Sequence, residues 1–272
     1  MVRSLWTAAS GMIAQQTNVD VISNNLANVN TTGFKTDVAE FKTLLYQTLQ
    51  TSTTSANGTP KPTTAQVGLG VRNSAITSMF KQGSLTATSN TTGFAIQGDG
   101  FFAVTGEDGN RYYTRNGNFI LSTANNGGLA LSTTDGLPVL SSTGKQITFN
   151  KNIVASKITT SSDGTFYYPD DKNVPQSLGI KLGIYQFSNP SGLEKNDSSL
   201  YTATGASGTV LNEATNNNLK KSKLVQGYLE ASNVQVVDEM VNLIVAQRAY
   251  EMNSKTIQAS DDMMSQANQL KR

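Results

Sequence analysis

The sequence predicts an α+β fold in which long helices at the two ends of the chain pair as a coiled-coil-like domain, with a mainly antiparallel β domain inserted between them. Large apolar residues recur at every seventh position near both ends of the 272-residue chain. This is the spacing of a helix seam that packs against a partner. The interior instead contains short β-prone runs separated by turn residues, a pattern typical of antiparallel sheets.

The first predicted helix covers residues 1–28, a stretch without proline. Its seam consists of Leu5, Met12, Val19 and Leu26. Asn28, Asn30 and Gly33 follow the seam, and these residue types tolerate the left-handed conformation that is common after a helix end. We therefore expect the helix to end near Asn28.

The last predicted helix runs from near Ser232 almost to Arg272. Ser232 and Gln235 have the spacing of a capping box, and Asp238 and Glu239 suit the positive end of the helix dipole. The seam of this helix consists of Val236, Leu243, Tyr250, Ile257 and Met264. Together, residues 1–33 and 229–272 form the predicted helical domain.

Both seams are narrow and carry polar residues where a self-sufficient coiled coil would have leucine or isoleucine. These polar residues are Gln16, Ser23, Gln247, Ser254 and Asp261. Two interpretations stay open: a pair of amphipathic helices packed on a globular core, or a seam shared among many copies of the chain. We favour the shared seam, because a narrow, interrupted seam buries little within one molecule. The nine large seam residues are therefore the predicted subunit interface.

Between the helices the chain has two parts. Residues 34–82 are predicted to form an extended or β connecting segment, in which residues 51–64 are rich in Thr, Ser, Asn, Gly and Pro and have little to bury. Residues 83–228 are predicted to form the β domain. Its clearest hairpin joins residues 101–104 to residues 111–115 through an Asp-Gly turn, which is a strong hairpin signal.

Composition excludes most catalytic chemistry. The chain has no histidine and no cysteine, which removes imidazole and thiolate metal ligands, cysteine nucleophiles and Ser-His-Asp triads. Its 21 basic and 19 acidic residues give a net charge of +2, which argues against a nucleic-acid partner. We therefore predict that the protein is not an enzyme and has no cofactor, metal or small-molecule substrate. We also find no signal-peptide core and no run of roughly 18 apolar residues that could span a membrane.

Two segments near the ends of the chain carry specific motifs. In residues 21–35 the motif residues are Asn24, Asn25, Leu26, Ala27, Asn28, Thr31, Gly33, Phe34 and Lys35. In residues 239–255 they are Gln247, Arg248, Ala249, Tyr250, Asn253, Ser254 and Lys255. These segments resemble the terminal signatures of the bacterial flagellar axial proteins, the family that forms the rod and hook. Residues 98–119 resemble the shared β domain of the family, and the match is weakest over residues 122–218.

Within this family, the opening run Arg3-Ser4-Leu5-Trp6 is most similar to the distal-rod members. The resemblance implies a structural subunit that is exported without a cleavable signal peptide through the flagellar type III apparatus. It implies that copies of the chain polymerise into the periplasm-spanning rod of the basal body, with the terminal helices as an inner tube around the export channel. The implied partners are other copies of the chain, proximal rod proteins, hook protein, and the ring proteins of the cell wall and outer membrane.

Three alternatives stay open at the level of sequence. The first is a proximal-rod or hook-like axial subunit, which differs only in its place along the flagellum. The second is a non-flagellar surface β protein with helical ends. The third is an enzyme acting on carbohydrate, for which the sequence offers no facing pair of carboxylates.

Overall fold

The computed structural model describes residues 2–50, 65–123, 127–150, 153–170, 174–216 and 218–270. It contains two long helices with many antiparallel strands between them in sequence, which confirms the α+β class. Two compact units are present. The helical unit is formed by Met1–Ala27, Asp37–Ser78 and Gln235–Arg272, and the β unit by Asn28–Thr36 and Met79–Val234.

The helical unit contains both long helices and a two-stranded ribbon. Its elements are α1 (Val2–Ala27), β1 (Asp37–Thr43), β2 (Tyr46–Gln50), β3 (Ala65–Gly68), β4 (Val71–Ser78) and α2 (Val236–Gln269). Strand β1 pairs with β4 and β2 with β3, both antiparallel. Helix α1 packs against α2, β1 and β4. The Thr-rich segment 51–64 that the sequence singles out lies outside the described residues.

Helix α1 ends close to the position that the sequence predicts. Its last residue is Ala27, and Gly33 has a φ of +71°, a left-handed conformation that glycine adopts without steric cost. Helix α2 begins at Val236, and the predicted capping box is wrong, because the side chain of Gln235 makes no capping hydrogen bond. The Ser232 hydroxyl instead accepts the backbone N–H of Val234.

The β unit contains the remaining strands. They are β5 (Leu85–Ala87), β6 (Phe94–Gln97), β7 (Phe101–Thr105), β8 (Arg111–Thr114), β9 (Ile120–Thr123), β10 (Leu129–Ser132), β11 (Thr148–Phe149), β12 (Thr159–Thr160), β13 (Thr165–Pro169), β14 (Pro175–Lys181), β15 (Ile184–Gln186), β16 (Glu194–Lys195), β17 (Leu200–Thr202), β18 (Leu211–Asn212), β19 (Lys223–Gln226) and β20 (Tyr228–Glu230).

The largest sheet of the β unit has six strands in the order β16-β17-β8-β7-β15-β18. The predicted hairpin is confirmed at its centre, where β7 pairs with β8 in antiparallel register. Two three-stranded sheets, β11-β10-β9 and β12-β13-β14, and the pairs β19-β6 and β20-β5 complete the unit. In the described part of the chain, no helix is both long and apolar enough to cross a bilayer.

Two hydrophobic cores lie on the two faces of β7. Successive side chains of a strand point to opposite faces, so Phe102 and Val104 belong to one core and Phe101 and Ala103 to the other. Edge-to-face aromatic pairs fill both cores, for example Phe102 against Phe119 with ring centroids 5.1 Å apart. A strand buried on both faces explains the nearly continuous apolar run that the sequence shows here.

The central position of Phe102 leads to a stability prediction. The change Phe102→Ala should lower the free energy of unfolding of the β unit by about 3–5 kcal/mol, because it leaves a cavity in a fully buried core. The matched control Ile120→Ala, at a residue that is 42% exposed, should cost no more than about 1 kcal/mol. Chemical denaturation followed by tyrosine fluorescence measures both changes, and equal costs would contradict the assignment of the core.

Candidate assembly interface

The two terminal helices approach each other through small and polar residues. The hydroxyl oxygens of Ser4 and Ser260 lie 3.2 Å apart. A Cβ atom at Gly11 would lie 2.8 Å from Nδ2 of Asn253, so a larger residue at this position would displace Asn253. Residue numbers rise along α1 as they fall along α2 in these contacts, and the helices are therefore antiparallel.

A buried polar cluster closes one end of the helix pair. The side chain of Asn25 is 1% exposed, and its Nδ2 donates to Asp37 O at 2.8 Å and to Glu239 Oε2 at 3.4 Å. Its Oδ1 accepts the backbone N–H of Asp37 at 2.9 Å. The Asp37 carboxylate in turn accepts the Ser78 hydroxyl at 3.0 Å. One amide side chain therefore ties α1 to both β1 and α2.

These helix contacts are seven or fourteen residues apart along each helix, and we call the series of every seventh residue that contains them the small-residue seam. On α1 it consists of Ser4, Gly11, Asn18 and Asn25, and on α2 of Ser260, Asn253, Ala246 and Glu239. Contacts at the first, second and fourth positions are described above. At the third, Ala246 is buried and Asn18 half-buried, as the seven-residue spacing requires.

The nine predicted interface residues flank this seam. All four of the α1 series, Leu5, Met12, Val19 and Leu26, are half-buried. In the α2 series, Leu243, Ile257 and Met264 are half-buried, while Val236 and Tyr250 are exposed. Their role in contacts between subunits stays a prediction.

The second row of the α2 seam lies one residue before the row that the sequence suggested. A heptad places its two rows alternately three and four residues apart. The sequence argument took the row four residues after each large residue, Gln247, Ser254 and Asp261. In the structure the row three residues after contains the buried Ala246 and Ser260 and the half-buried Asn253. In the row four residues after, Gln247 and Asp261 are exposed and Ser254 is half-buried.

Helix α2 carries an exposed apolar stripe on the side opposite the seam. Its members are Val237, Met240, Val241, Ile244, Val245 and Met252, each more than half exposed. On α1, Trp6 and Ile13 are also more than half exposed. Sequence reasoning missed this stripe, although its spacing of three, four and seven residues is that of a helix face. Contiguous exposed apolar residues of this kind mark interaction surfaces.

The C-terminal signature residues lie on the accessible part of the helix pair. Gln247 and Tyr250 line a groove of about 400 Å³ together with Gln16, Val19 and Glu251. Arg248 forms an exposed ion pair with Glu251 at 2.9 Å, which contributes little to stability because water screens it. Signature residues Asn253 and Ser254 are half-buried, as is Ala249, whereas Lys255 is exposed.

The N-terminal signature ends in a buried ion cluster of the β unit. Lys35 Nζ donates to Glu230 Oε1 at 2.6 Å and to Lys81 O at 2.8 Å. Arg115 Nη1 lies 3.4 Å from Glu230 Oε2, and none of the three charged side chains is more than 2% exposed. Burial lowers the pKa of the Lys35 ammonium, and the attraction of Glu230 opposes this shift. Burial likewise lowers the pKa of the Arg115 guanidinium, since desolvation disfavours a charged form.

The remaining N-terminal signature residues have varied environments. A Cβ atom at Gly33 would lie 2.6 Å from the backbone nitrogen of Asn116, so this position admits only glycine. The Phe34 ring lies 5.4 Å from Lys195 Nζ, and the Thr31 hydroxyl donates to Asn28 Oδ1. Asn24 and Ala27 are exposed. Glu230 and Glu239 bond to the buried signature residues Lys35 and Asn25, and Arg115 bonds to Glu230. None of the three carries a signal in the sequence that predicts its burial.

The described residues include no group of three or more acidic, histidine or cysteine side chains that could hold a metal ion. The polar groups of the two buried clusters bond instead to one another and to the backbone, apart from Arg115 Nε, which has no hydrogen-bond partner in the part of the chain that the structure describes. The extended surfaces of the helical unit are therefore the candidate functional site.

Three family models match the chain. The model for the flagella basal body rod protein matches residues 5–35, and the model for the flagellar hook protein FlgE/F/G D1 domain matches residues 95–168. The model for the flagellar basal body rod FlgEFG protein C-terminal matches residues 225–270. The matches to residues 5–35 and 225–270 cover the small-residue seam on α1 and α2 except for Ser4.

Similar proteins match the chain over its full length. It is 44% identical over 274 residues to the flagellar basal-body rod protein FlgG of Borreliella burgdorferi, with 100% of both chains covered. It is 37% identical over 272 residues to the flagellar basal-body rod protein FlgG of Bacillus subtilis, again with 100% of both chains covered. A further relative is the flagellar hook-basal body complex protein FlhP of Bacillus subtilis, at 30% identity over 277 residues and 100% of both chains.

Engineered cysteines test the register of the helix pair, because the chain has no cysteine of its own. The pair Ser4→Cys with Ser260→Cys should form an intramolecular disulfide under mild oxidation, since the native hydroxyl oxygens lie 3.2 Å apart. The control pair Ser4→Cys with Ser254→Cys moves the second thiol roughly 9 Å along the helix and should stay reduced. Non-reducing electrophoresis of the monomer separates the outcomes, and equal cross-linking of both pairs would disprove the register.

Proposed function

We infer the function from one premise: the chain belongs to the flagellar basal-body rod protein family. It is a structural rod subunit of the flagellar basal body and not an enzyme. We propose that copies of the chain self-assemble into the distal rod, a helical polymer that transmits torque from the motor to the hook and encloses the export channel.

The observation that carries the self-assembly proposal is the poor burial of large residues in the helical unit. Both aromatic cores belong to the β unit. Among the described residues of the helical unit, the buried apolar ones are Ala8, Ala14, Val21, Ile22 and Ala246. Meanwhile the apolar stripe on α2 remains exposed. A helix pair that buries few large side chains and exposes many gains most of its packing from neighbouring molecules.

The size of the stripe suits assembly with other copies. Fully burying a valine, isoleucine or methionine side chain contributes about 1.5–3 kcal/mol. Six partly exposed side chains together therefore contribute an energy of the same order as the roughly 4–15 kcal/mol that association costs. Repeated around a polymer, this contribution recurs at each copy. Neighbouring copies of the chain are the proposed occupants of the stripe. The nine predicted interface residues beside the small-residue seam are proposed to add further contacts between subunits.

We further propose that α1 and α2 pair as an antiparallel coiled-coil-like unit through the small-residue seam. The seven-residue recurrence of the contacts supports this pairing. The close approach at Gly11 supports it as well, since small residues at a helix interface allow the backbones to come near each other. The large residues beside the seam, such as Leu243 and Ile257, then face both the partner helix and the next subunit.

In the assembled rod, the proposed inner tube consists of the helical domain 1–33 with 229–272, and the proposed outer layer of the β domain 83–228. Residues 34–82 connect them, and the ribbon of β1 to β4 belongs to this segment. The autonomy of the two aromatic cores supports an outer layer that folds without its neighbours. The residue types of the exposed helix stripe support an inner layer that requires them.

The proposed partners are further copies of the chain, proximal rod proteins, hook protein, the ring proteins of the cell wall and outer membrane, and the flagellar type III export apparatus. The proposed location is the periplasm-spanning rod, reached by export without a cleavable signal peptide. Nucleic acid and small-molecule substrates are not among the proposed partners. Membership of a family that assembles basal bodies supports these assignments together.

A proximal-rod or hook-like position is the second candidate. The observation that favours it is the 30% identity, over the full chain, to a protein named for the hook-basal body complex. The higher identity to relatives named as rod protein favours the distal rod. The family membership argues against a non-flagellar surface protein.

Electron microscopy of basal bodies tests the position of the subunit. A strain lacking this protein should produce basal bodies in which the rod is truncated before the hook, because the segment that the protein builds is absent. Restoring the wild-type chain with a small tag should restore the rod and place the label between its proximal part and the hook. A label within the hook, or a truncation at the membrane-proximal base, would assign the alternative position.

A charge in the apolar stripe tests the assembly surface. The variant Ile244→Asp should abolish rod formation and raise the concentration needed for polymerisation by about 100-fold or more, since a buried carboxylate costs several kcal/mol. The control Gln258→Asp adds the same charge at an exposed position of α2 beyond the stripe and should leave rods intact. Swimming and rod formation in the deletion strain report both results. Normal rods with Ile244→Asp would refute the role of the stripe.

A further inference from the structure

The chain passes between the β unit and the helical unit after residues 27, 36, 78 and 234. Inside the β unit, residues next to three of these points are bonded to one another through Asn233. Its Oδ1 accepts both the backbone N–H and the hydroxyl of Thr36 at 2.7 Å. Its Nδ2 donates to Met79 O at 2.9 Å and to Lys81 O at 3.2 Å. The Met79 N–H donates to Thr36 O at 2.8 Å.

The buried ion cluster also joins the three segments that Asn233 connects, at residues 33–35, 81–83 and 230. The Glu230 carboxylate accepts Lys35 Nζ at 2.6 Å and the backbone N–H of Gly83 at 2.9 Å. The Glu230 backbone carbonyl accepts the Gly33 N–H at 2.8 Å. Lys35 Nζ also donates to Lys81 O. Each of the two charged side chains therefore bonds to both of the other segments.

The charges in this cluster suit a positioning role better than a stabilising one. A buried ion pair contributes little net stability, because desolvation offsets the attraction, whereas loss of one partner leaves an uncompensated charge. Apolar residues of similar size would pack as well, but they would not fix which backbone groups meet. The Arg115 guanidinium, 4.9 Å from the centroid of the Phe101 ring, anchors the Glu230 carboxylate to the core of the β unit.

We propose that Lys35, Arg115, Glu230 and Asn233 form a clamp that holds residues 33–36, 79–83 and 230–233, next to three of the four points where the chain enters or leaves the β unit, in one fixed arrangement within that unit. All four residues belong to the β unit, so the clamp is complete in the free subunit before assembly. When the rod is twisted, the hydrogen bonds and ion pairs of the clamp share the load, so that it does not fall on each connecting segment separately. This last consequence rests on the proposed function, whereas the clamp itself does not.

Hydrogen exchange on the monomeric full-length chain tests the clamp. In the variant Glu230→Gln, the amides of Gly33, Thr36, Met79 and Gly83 should lose protection by at least about 100-fold, since the change leaves buried cations without their counter-charge. Amides of strand β7 should keep most of their protection. Retained protection at the four amides would overturn the proposal, and so would a uniform loss across the whole β unit.

The chain offers a matched control in Glu213, a second buried glutamate of the β unit. Its carboxylate accepts the Ser222 hydroxyl and the Gln186 amide, both at 2.7 Å, and lies outside the clamp. The variant Glu213→Gln should leave the four amides protected and loosen only the segment around Ser222. An equal loss at the four amides in both variants would show that any buried carboxylate has this effect, and would overturn the proposal.

A second variant, Asn233→Ala, leaves every charge in place and keeps the proposal testable if Glu230→Gln does not fold. It should deprotect Thr36 and Met79 while Gly33 stays protected by the Glu230 carbonyl, and full protection of Thr36 and Met79 would overturn the clamp. Failure of the proposed function is a separate result. If the wild-type chain does not localise to the rod, the exchange pattern of the monomer is unaffected.

Discussion

Close contact between the two terminal helices is the constraint on which the rest of the structure depends. Asn25 near the end of α1 bonds to Glu239 near the start of α2, so the chain leaves the first helix and enters the second at neighbouring points. The chain between these points adds the strands β1 to β4 to the helical unit and forms the β unit, which has its own cores. Because the contact uses small residues, the large residues of both helices remain at its edges and on the opposite face of α2, where other molecules can reach them.

The helices and the central hairpin were predictable from sequence because their signals are local, whereas the pairing of residues distant in sequence was not. Seven-residue spacing predicted both helices, and the Asp-Gly turn predicted the β7–β8 hairpin, because these signals are local. The heptad leaves two choices for the second row, however, and only packing against α1 decides that Ala246 and not Gln247 is buried. The partnership of Lys35 with Glu230 joins residues 195 positions apart, and no local pattern encodes it. The resemblance to the flagellar axial proteins identified Lys35 as a motif residue but gave no indication that Glu230 is its partner.

Charged, aromatic and aliphatic residues are distributed differently between the β unit and the helical unit. Only 15% of residues are charged, and three of those charges are buried together in the Lys35 cluster, where each side chain has an opposite partner or a backbone acceptor. The aromatic residues are concentrated in the cores of the β unit, whereas the helices expose valine, isoleucine and methionine. The residues of the apolar stripe on α2 carry no charge, which lowers the desolvation cost when such surfaces meet.

Because the small-residue seam repeats every seven residues, it permits more than one stagger of α1 against α2. If one helix slid along the other by a single heptad, Ser4 would face Asn253 and Gly11 would face Ala246, again small against small. The repeat therefore defines the distance between the helices but not their stagger. The buried cluster of Asn25, Asp37 and Glu239 removes this ambiguity, because only one stagger satisfies its hydrogen bonds and unpaired buried polar groups are costly. Because this cluster fixes the stagger at one end of the helix pair, both helices can lengthen or shorten together at the other end in steps of one heptad and still pair in register.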